Sequence, residues 1–405
     1  MLDILKKGNE HIEQSGDQKI SIALITSFVI LTIQFFILVY FELMGTSDAS
    51  RIQLVSKILV GIAFVYALPS VLKRSKVKFI VIYLIAIFIF LINYSIFPEN
   101  RLYLKELIFP VFFMSLPAFV YSMSLSEWNI LKRVMKKASL IVFIFGATLG
   151  SLIISGSLSI GEYSMALSYY MLLPIVIYLD DFLEEFSFSA LFFVVSSLLV
   201  ILALGSRGAI LCVVVFFVLK LIRSKSKLNF SRLLYKWITF GGILLLYLFL
   251  SYILEFAYNF LLNLGIKSRS IQLFLREDIH LSGRDNIYQN VIREIMDNPL
   301  LGIGIGGDRL VSGRGYVHNI FLEILANYGI VLGGILLVVL LLLILKSLFV
   351  KDSHKYSMII IWLSLGLIPL MVSSSYLINI NFWIFLGLVL NYCFIKRNSK
   401  VELTG

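Results

Sequence analysis

Long apolar runs without a single charge constrain this chain more than any other feature of its sequence. Phe79–Phe97, Leu140–Leu158 and Leu332–Leu345 are three such runs. A run of about 18 or more apolar residues can cross the hydrocarbon core of a bilayer as a helix. The chain is 59% hydrophobic and 15% charged, whereas soluble domains are roughly 45–50% apolar and about 25% charged. The sequence therefore predicts an all-α integral membrane protein.

The spacing of the apolar runs predicts about twelve transmembrane helices. Alternate connections between them are basic and together hold fourteen Lys and five Arg. Because short cytoplasmic loops carry an excess of Lys and Arg, we expect these connections and both termini to be cytoplasmic. The acidic turn Asp180–Glu185 falls on the same side by its place in the order. The helix centres are expected near Val29, Ile62, Ile87, Leu116, Ile144, Leu172, Leu198, Val215, Leu246, Val338, Leu365 and Leu388.

The net charge of +11 follows mainly from this topology. Basic residues beside a membrane attract anionic lipid, so we expect the bilayer of the cytoplasmic membrane as a partner and no nucleic acid. The two cysteines, Cys212 and Cys393, lie inside apolar runs and are expected to pack as small hydrophobic residues. No disulfide, metal site or cofactor is predicted.

One connection is much longer than the others, and the alternation places it outside the cell. It lies between the ninth and tenth spans, and the helical spacing of Ile287, Val291 and Ile295 predicts an ordered cap within it. Four regions follow from the topology. They are residues 1–187 with spans one to six, 188–256 with spans seven to nine, 257–318 as the extracytoplasmic loop, and 319–405 with spans ten to twelve.

The extracytoplasmic loop prefers arginine over lysine. It holds one Lys and six Arg, although the positive-inside rule asks for no positive charge here. A guanidinium group grips phosphate or carboxylate oxygens at two points, whereas an ammonium group is a point charge. The loop therefore predicts a phosphate ligand at the outer surface, with ion pairs to the acidic residues of the loop as the alternative. The six are Arg269, Arg276, Arg284, Arg293, Arg309 and Arg314.

A charge interrupts the apolar segment Phe188–Ile222. As one helix this segment would be about 52 Å long, which exceeds the roughly 30 Å of a single crossing. We therefore predict two spans that turn at residues 205–208, Gly-Ser-Arg-Gly. Arg207 then lies at the outer surface, where it either binds an anionic ligand or extends to the lipid headgroups.

A polar stripe enters the membrane after the long loop. Asn319, Glu323 and Asn327 are four residues apart and share one helix face, which must meet protein or water. His318 stands at the outer mouth of this stripe, where an imidazole can take a proton from a sugar hydroxyl. The alternatives are a helix cap at Asn319 and a surface role for His318.

The segment Pro299–Gly307 is rich in glycine but lacks the Lys-Ser/Thr of a nucleotide-binding P-loop. It also lies on the wrong side of the membrane for ATP. A tight turn is the favoured interpretation, and a phosphate cradle of backbone amides around Gly304 is the alternative.

These elements together resemble the C-terminal region shared by O-antigen ligases and Wzy-type polysaccharide polymerases. The resemblance covers roughly Phe188–Leu345 and includes the Gly-Ser-Arg-Gly turn around Arg207. Its other motif residues are Asp297–Leu300, Gly302, Gly304, His318, Asn319, Leu322 and Gly329.

The resemblance implies a GT-C-like helical membrane fold and a glycosyltransferase that needs neither nucleotide nor metal. It implies a donor glycan carried on undecaprenyl diphosphate and, for a polymerase, a chain-length regulator and a flippase as partners. By analogy, Arg207 and loop arginines hold the diphosphate, and His318 orients or deprotonates the acceptor hydroxyl. Arg293 and Gly304 fit an Arg-x10-Gly pattern of some polymerases. The residues expected to bind diphosphate or glycan are Arg276, Arg284, Arg293, Arg314, Asn319, Glu323 and Gly304.

Several functions remain open at this stage. The unusual N-terminal half and the Lys- and Ile-rich composition favour a polymerase over a ligase, which would use the same donor with another acceptor. A flippase of lipid-linked sugars is an alternative of another class, although clean spans and outward polar residues favour an enzyme. A peptidoglycan polymerase of the shape-and-division type would need a carboxylate base in the loop, for which Asp285 is the candidate.

Overall fold

The computed structural model describes residues 2–154, 165–204, 206–223, 250–263, 265, 275, 284–313 and 315–394. Every regular element in these ranges is helical, which confirms the all-α prediction. Seven of the described helices are long and apolar enough to cross a membrane, and Phe188–Leu202 and Ile380–Phe394 are shorter apolar helices. The chain is therefore consistent with a multi-pass membrane protein. The number of twelve stays a prediction, and its ninth centre, Leu246, lies outside the described residues.

Fifteen α-helices lie in the described ranges. They are α1 (Leu2–Tyr40), α2 (Ser47–Ile96), α3 (Arg101–Pro110), α4 (Leu116–Met123), α5 (Trp128–Ile154), α6 (Met165–Tyr170), α7 (Leu172–Glu184), α8 (Phe188–Leu204), α9 (Arg207–Ile222), α10 (Leu250–Asn263), α11 (Arg284–Asp297), α12 (Gly307–Val311), α13 (Ile320–Leu348), α14 (Ser353–Trp362) and α15 (Ile380–Phe394). Short 3-10 helices span Pro98–Asn100 and Ile368–Met371, and π-helical turns span Val111–Ser115 and Leu363–Leu367.

Two of the long helices are broken. Helix α2 is broken in a stretch where the sequence predicts a connection, and α13 is broken at a glycine. Helix α2 has 50 residues, about 75 Å at full helical rise, and Ser75 interrupts it with φ −142° and ψ 34°. This break falls in the basic stretch expected between the second and third spans. Helix α13 is broken at Gly329, which has φ 76° and ψ 176°, a conformation that glycine adopts without steric cost.

The predicted division of residues 188–222 is confirmed. Helix α8 ends at Leu204, and Ser206 then caps α9 in an extended conformation. The Ser206 hydroxyl accepts a hydrogen bond from Ala209 N at 3.4 Å, which fixes the start of α9 at Arg207. The apolar segment therefore forms two helices because one would be too long for a single crossing.

By its internal contacts the chain forms two compact units. Unit 1 comprises Met1–Leu24, Gly61–Leu131 and Arg284–Gly405, and unit 2 comprises Ile25–Val60 and Lys132–Gly283. This division follows contacts, whereas the four regions expected from the sequence follow topology and stay a prediction.

In unit 2, helix α7 packs against α8 and α9, and an ion-pair network joins the ends of these helices. Asp180 is fully buried; Lys132 approaches it at 2.6 Å and Lys220 also pairs with it. Lys220 further reaches Glu184 at 2.9 Å. The carboxylates of Asp180, Asp181 and Glu184 lie within 4.8 Å of one another, and lysines from two neighbouring basic connections neutralise them. These ion pairs compensate the negative charge of the acidic turn.

In unit 1, helices α4 and α15 pack in parallel and define two ends. At one end, the Asn391 side chain donates to the carbonyl oxygens of Met123 and Leu125 at 2.8 Å. The next two residues of the chain, Ser126 and Glu127, donate their backbone N–H groups to the buried Asp17 carboxylate at 3.1 Å. Asp17 also pairs with Arg74. The segments that meet here are those for which the sequence predicts a cytoplasmic location.

The other end of unit 1 collects segments expected outside. Ser115 Oγ donates to Leu377 O at 3.0 Å. The side chain of Asn100 donates to Ile303 O at 2.7 Å, and Ile305 N donates to Asn93 Oδ1 at 2.8 Å. These contacts bring the connections around residues 97–100, 299–318 and 372–379 together around the start of α13.

The described part of the cap is the predicted amphipathic helix. Helix α11 buries Val291 and Ile295 against Val317 and Ala326. The expected helical spacing of apolar residues in this stretch is therefore confirmed, and it positions Arg284, the first residue of α11, beside the start of α13.

Candidate functional site

The start of α13 places His318 in an unusual backbone conformation. Its φ is +58°, in the left-handed region that few non-glycine residues occupy. Asn319 is extended and caps α13, because its Oδ1 accepts from Phe321 N at 2.9 Å and Leu322 N at 3.2 Å. The cap ends the turn and leaves the His318 side chain at the mouth of the helix. Strained backbone of this kind concentrates at functional sites.

An aromatic ring and a guanidinium group surround the imidazole. The ring centroids of Tyr316 and His318 are 4.4 Å apart with planes at 56°. Burial and, to a smaller extent, the positive charge of Arg284 together lower the pKa of His318 to about 4. The imidazole is therefore neutral at neutral pH. Its Nδ1 is buried and has no hydrogen-bond partner among the described residues.

A buried acidic residue, Asp308, and a partly buried neighbour, Arg309, lie next to this turn. Asp308 is fully buried on α12, and its Oδ2 accepts from Val317 N at 3.3 Å. Burial raises the pKa of Asp308, while the charge of Arg309 and the Val317 N–H oppose that rise. Burial also raises the pKa of Tyr316, against the charges of Arg309 and Arg284. Two arginines thus act on the same tyrosine.

Three buried polar atoms of this group lack a partner. They are Asp308 Oδ1, Arg309 Nη2 and His318 Nδ1, as counted over the part of the chain that the structure describes. Buried polar atoms in proteins almost always have hydrogen-bond partners, and each exception calls for an explanation such as a bound molecule. A donor, an acceptor and an imidazole left open in one place form a site suited to a polar ligand.

The polar stripe of α13 meets protein, as one of the two sequence alternatives requires. Glu323 is 1% exposed, and its carboxylate accepts from Ser375 Oγ and from Tyr376 N at 3.1 Å. Asn327 Nδ2 donates to the Tyr376 hydroxyl at 3.0 Å. Arg284 donates to Val372 O. Glu323, Asn327 and Arg284 therefore hold residues 372–379 against the site.

The glycine-rich segment forms a tight turn whose amides are largely engaged within the protein. Gly302, Gly304 and Gly306 have φ values of 67°, 74° and 81°. Ile303 N donates to Ala326 O at 2.7 Å, and Ile330 N donates to Pro299 O at 2.7 Å across the break at Gly329. A side chain at Gly302 would meet backbone of α13, and one at Gly304 would meet the Phe97 ring. These contacts support the tight-turn interpretation over a phosphate cradle.

Some of the other expected site residues belong to other described elements, and some are not described. Arg207 is the first residue of α9 in unit 2. Arg293 is exposed on α11, as is Asp285, the carboxylate of the division-enzyme alternative. Arg276 and Arg314 lie outside the described residues. The structure therefore brings together His318, Arg284, Asn319 and Glu323 of the expected set.

Sequence reasoning missed several members of the site. The sequence predicts phosphate binding by Arg309 only as one of six loop arginines, and it offers Asp308 only as one of the acidic residues that would pair with them in the alternative interpretation. Tyr316 and the connection at residues 372–379 were not singled out. A signal for the connection exists, because Ser373–Tyr376 is a polar run within an otherwise apolar C-terminal region.

Residues 192–338 match the family model described as O-antigen ligase. The matched range includes Arg207, helices α11 and α12 and the start of α13 with His318. The resemblance inferred from the motifs is therefore confirmed over this part of the chain, and it supports a ligase- or polymerase-type function in glycan biosynthesis. No curated protein and no solved structure matches the chain.

Proposed function

We propose that this protein joins lipid-diphosphate-linked glycans at the outer face of the cytoplasmic membrane, as a polymerase of O-antigen, capsule or exopolysaccharide repeat units. The observation that carries the proposal is the partly buried His318, whose Nδ1 has no partner among the described residues, in the electrostatic reach of Arg284 and close to Asp308 and Arg309, within the range that matches O-antigen ligases. A base beside fixed cations suits transfer of a sugar from a phosphate leaving group.

The anomeric carbon–oxygen bond of the donor sugar breaks, and its electron pair leaves on the oxygen of the lipid diphosphate. The acceptor hydroxyl oxygen forms the new bond to that carbon and gives its proton to His318. Negative charge grows on the diphosphate in the transition state, and fixed guanidinium groups of Arg284 and Arg309 would stabilise it where water is scarce. The activated donor supplies the energy, so no ATP is needed.

Charge around His318 couples donor binding to base strength. In the free protein, burial and Arg284 keep the imidazole neutral but make it a weak base. A diphosphate bound at Arg284 would offset that positive charge and raise the pKa of His318 towards its ordinary value. The base would then become effective when the donor is in place, near the pH at which general bases work best.

Further contacts are proposed from the sequence. Undecaprenyl diphosphate is the proposed lipid carrier, and Arg207, Arg276, Arg293 and Arg314 are proposed to bind its phosphates or the glycan. Asn319 and Gly304 are proposed from the sequence as glycan contacts, although Gly304 is buried in the tight turn and the side-chain oxygen of Asn319 is engaged in the cap of α13. Glu323 has protein partners for both carboxylate oxygens, so its contribution to binding would act through residues 372–379. A chain-length regulator and a flippase are the proposed protein partners.

The first test is deletion of the gene followed by separation of surface and lipid-linked glycans by size. For a polymerase we expect glycans that stop at one repeat unit. Restoration with His318→Ala or Arg284→Ala should fail. His354→Ala and Arg51→Ala are matched controls, since both residues are exposed and neither belongs to the expected or observed site, and they should restore long glycans. Normal chain length after deletion would refute the proposal.

A ligase is the second candidate, because residues 192–338 match the O-antigen ligase family model. The same gel separates the two functions. Long glycan that stays on its lipid carrier, with none attached to an acceptor, would identify a ligase. An unchanged pattern would favour a transporter, which a liposome assay of lipid-linked glycan movement would then test.

A further inference from the structure

We propose that unit 1 carries a second binding site, a cleft that takes the sugar portion of the glycan apart from the phosphate. This inference rests on the proposed function and deepens it. The cleft has a volume of about 420 Å³, within the roughly 300–1,000 Å³ of small-molecule sites. Its walls come from the 3-10 turn at residues 98–100, from α11 and from the segment around α12. Its polar and aromatic lining is Glu99, Glu294, Asn100, Asn298 and Phe97.

The charge of the lining determines the kind of ligand. Two carboxylates and two amides line the cleft, and no Lys or Arg is among its described lining residues. Carboxylates accept hydrogen bonds from hydroxyl groups, and amides both accept hydrogen bonds from them and donate to them. The two negative charges of the carboxylates would repel a diphosphate. Arg284 and Arg309 at the His318 site have the opposite preference. An uncharged or amino-bearing saccharide therefore fits the cleft, and a phosphate does not.

An orphaned acceptor gives a second, independent indication of a ligand. Asn100 is 1% exposed, and its Nδ2 donates to Ile303 O at 2.7 Å. Its Oδ1 is buried and accepts no hydrogen bond from any residue that the structure describes. Leaving a buried acceptor unsatisfied costs free energy, and a hydroxyl donor from a molecule in the cleft is the simplest way to satisfy it.

Helix α12 links the cleft to the His318 site. Gly307, Leu310 and Val311 line the cleft and share one helix face, since they are three and four residues apart. Asp308 lies on another face and holds Val317, next to His318. Helix α12 therefore contributes to both places, and we infer that a glycan with its phosphate end near His318 extends towards the cleft.

A binding experiment with a sugar that lacks lipid and phosphate tests this site. The probe is the repeat-unit oligosaccharide, released by mild acid from the lipid-linked pool of a strain that lacks the gene. Binding to the purified full-length protein is measured by calorimetry. Glu99→Gln and Glu294→Gln should each weaken binding about tenfold, as the loss of a hydrogen bond to a charged group predicts. Glu106→Gln and Asp297→Asn, both exposed outside the cleft, should bind like the native protein.

The outcomes separate this inference from the proposed function. His318→Ala should keep oligosaccharide binding, because the cleft does not include His318. Failure of the native protein to bind the probe, or equal binding by Glu99→Gln and Glu294→Gln, would overturn the cleft even if His318→Ala abolishes glycan joining. Binding that is lost in Arg284→Ala but unchanged in Glu99→Gln and Glu294→Gln would also overturn it. Cleft-dependent binding with an unchanged glycan pattern in the deletion strain would keep the site and refute the joining function.

Discussion

The buried carboxylate of Asp308 accepts a hydrogen bond from the backbone N–H of Val317 at 3.3 Å. Because Val317 precedes His318, this bond holds the left-handed turn that presents the imidazole. The bond links the side chain of Asp308 on α12 to the backbone just before α13. Asp308 is therefore a positioning residue in the proposed mechanism. The effect of its hydrogen bond can be separated from the effect of its negative charge.

Substitutions at Asp308 should separate the hydrogen bond from the charge. Asp308→Asn keeps a side-chain oxygen that can accept from Val317 N, so kcat/KM should fall by less than about tenfold. Asp308→Ala leaves the Val317 N–H without an acceptor, which costs about 1–3 kcal/mol. It should lower kcat/KM by more than Asp308→Asn does. Initial rates with purified protein check this order, and Asp297→Asn is the exposed control. Equal losses in Asn and Ala variants would contradict the positioning role.

The left-handed conformation at His318 makes Asn a better test residue than Ala. Asn enters this region more readily than Ala, so His318→Asn should preserve the turn and the amount of folded protein in the membrane. It removes the base, so kcat should fall about 10²–10⁴-fold, as for other general bases. Quantitative immunoblots and turnover measurements check the two halves separately. Normal turnover in His318→Asn would exclude His318 as the base.

The pH dependence of kcat/KM should report the depressed pKa of His318. The neutral imidazole is the active form, and its pKa of about 4 in the free protein means that activity is lost only as the pH falls through about 4. An ordinary histidine would lose activity near pH 6.5. Arg284→Gln removes a charge that lowers this pKa, so the acidic limb should move to higher pH. Arg51→Gln, at an exposed position with no proposed role in binding, should leave the limb unchanged.

An acidic limb near pH 6.5 in the native protein, or no shift in Arg284→Gln, would contradict this assignment. kcat/KM is the right quantity because it reports ionisation of the free enzyme. The value of kcat in the presence of saturating donor should show a higher apparent pKa, because the bound diphosphate offsets the charge of Arg284.

The sequence was sufficient for features that depend on length and local pattern. Residues 188–222 had to turn because one helix would exceed the bilayer thickness, and α11 had to bury Val291 and Ile295 because of their spacing. Contacts between distant segments carry no such signal. Asn100 and Ile303 are 203 positions apart, and the partner of Asp308 is a backbone amide, which every residue offers. For the same reason Arg284 could not be distinguished from exposed Arg293 before the structure.

The network around Glu323 gives the last prediction. Its carboxylate satisfies Ser375 Oγ and Tyr376 N in a buried position. Glu323→Ala would leave both donors without an acceptor, and each buried orphan costs about 1–3 kcal/mol. Thermal unfolding in detergent should therefore show a clear loss of stability for Glu323→Ala and a smaller loss for Glu323→Gln, which keeps one acceptor oxygen. Ser375→Ala leaves one carboxylate oxygen of Glu323 without its donor, and the N–H of Leu377, which donates to Ser375 Oγ at 3.3 Å, without its acceptor. It should therefore lower stability as well. A stability of Glu323→Ala equal to that of the native protein would show that residues 372–379 are held by other contacts, such as that between Arg284 and Val372.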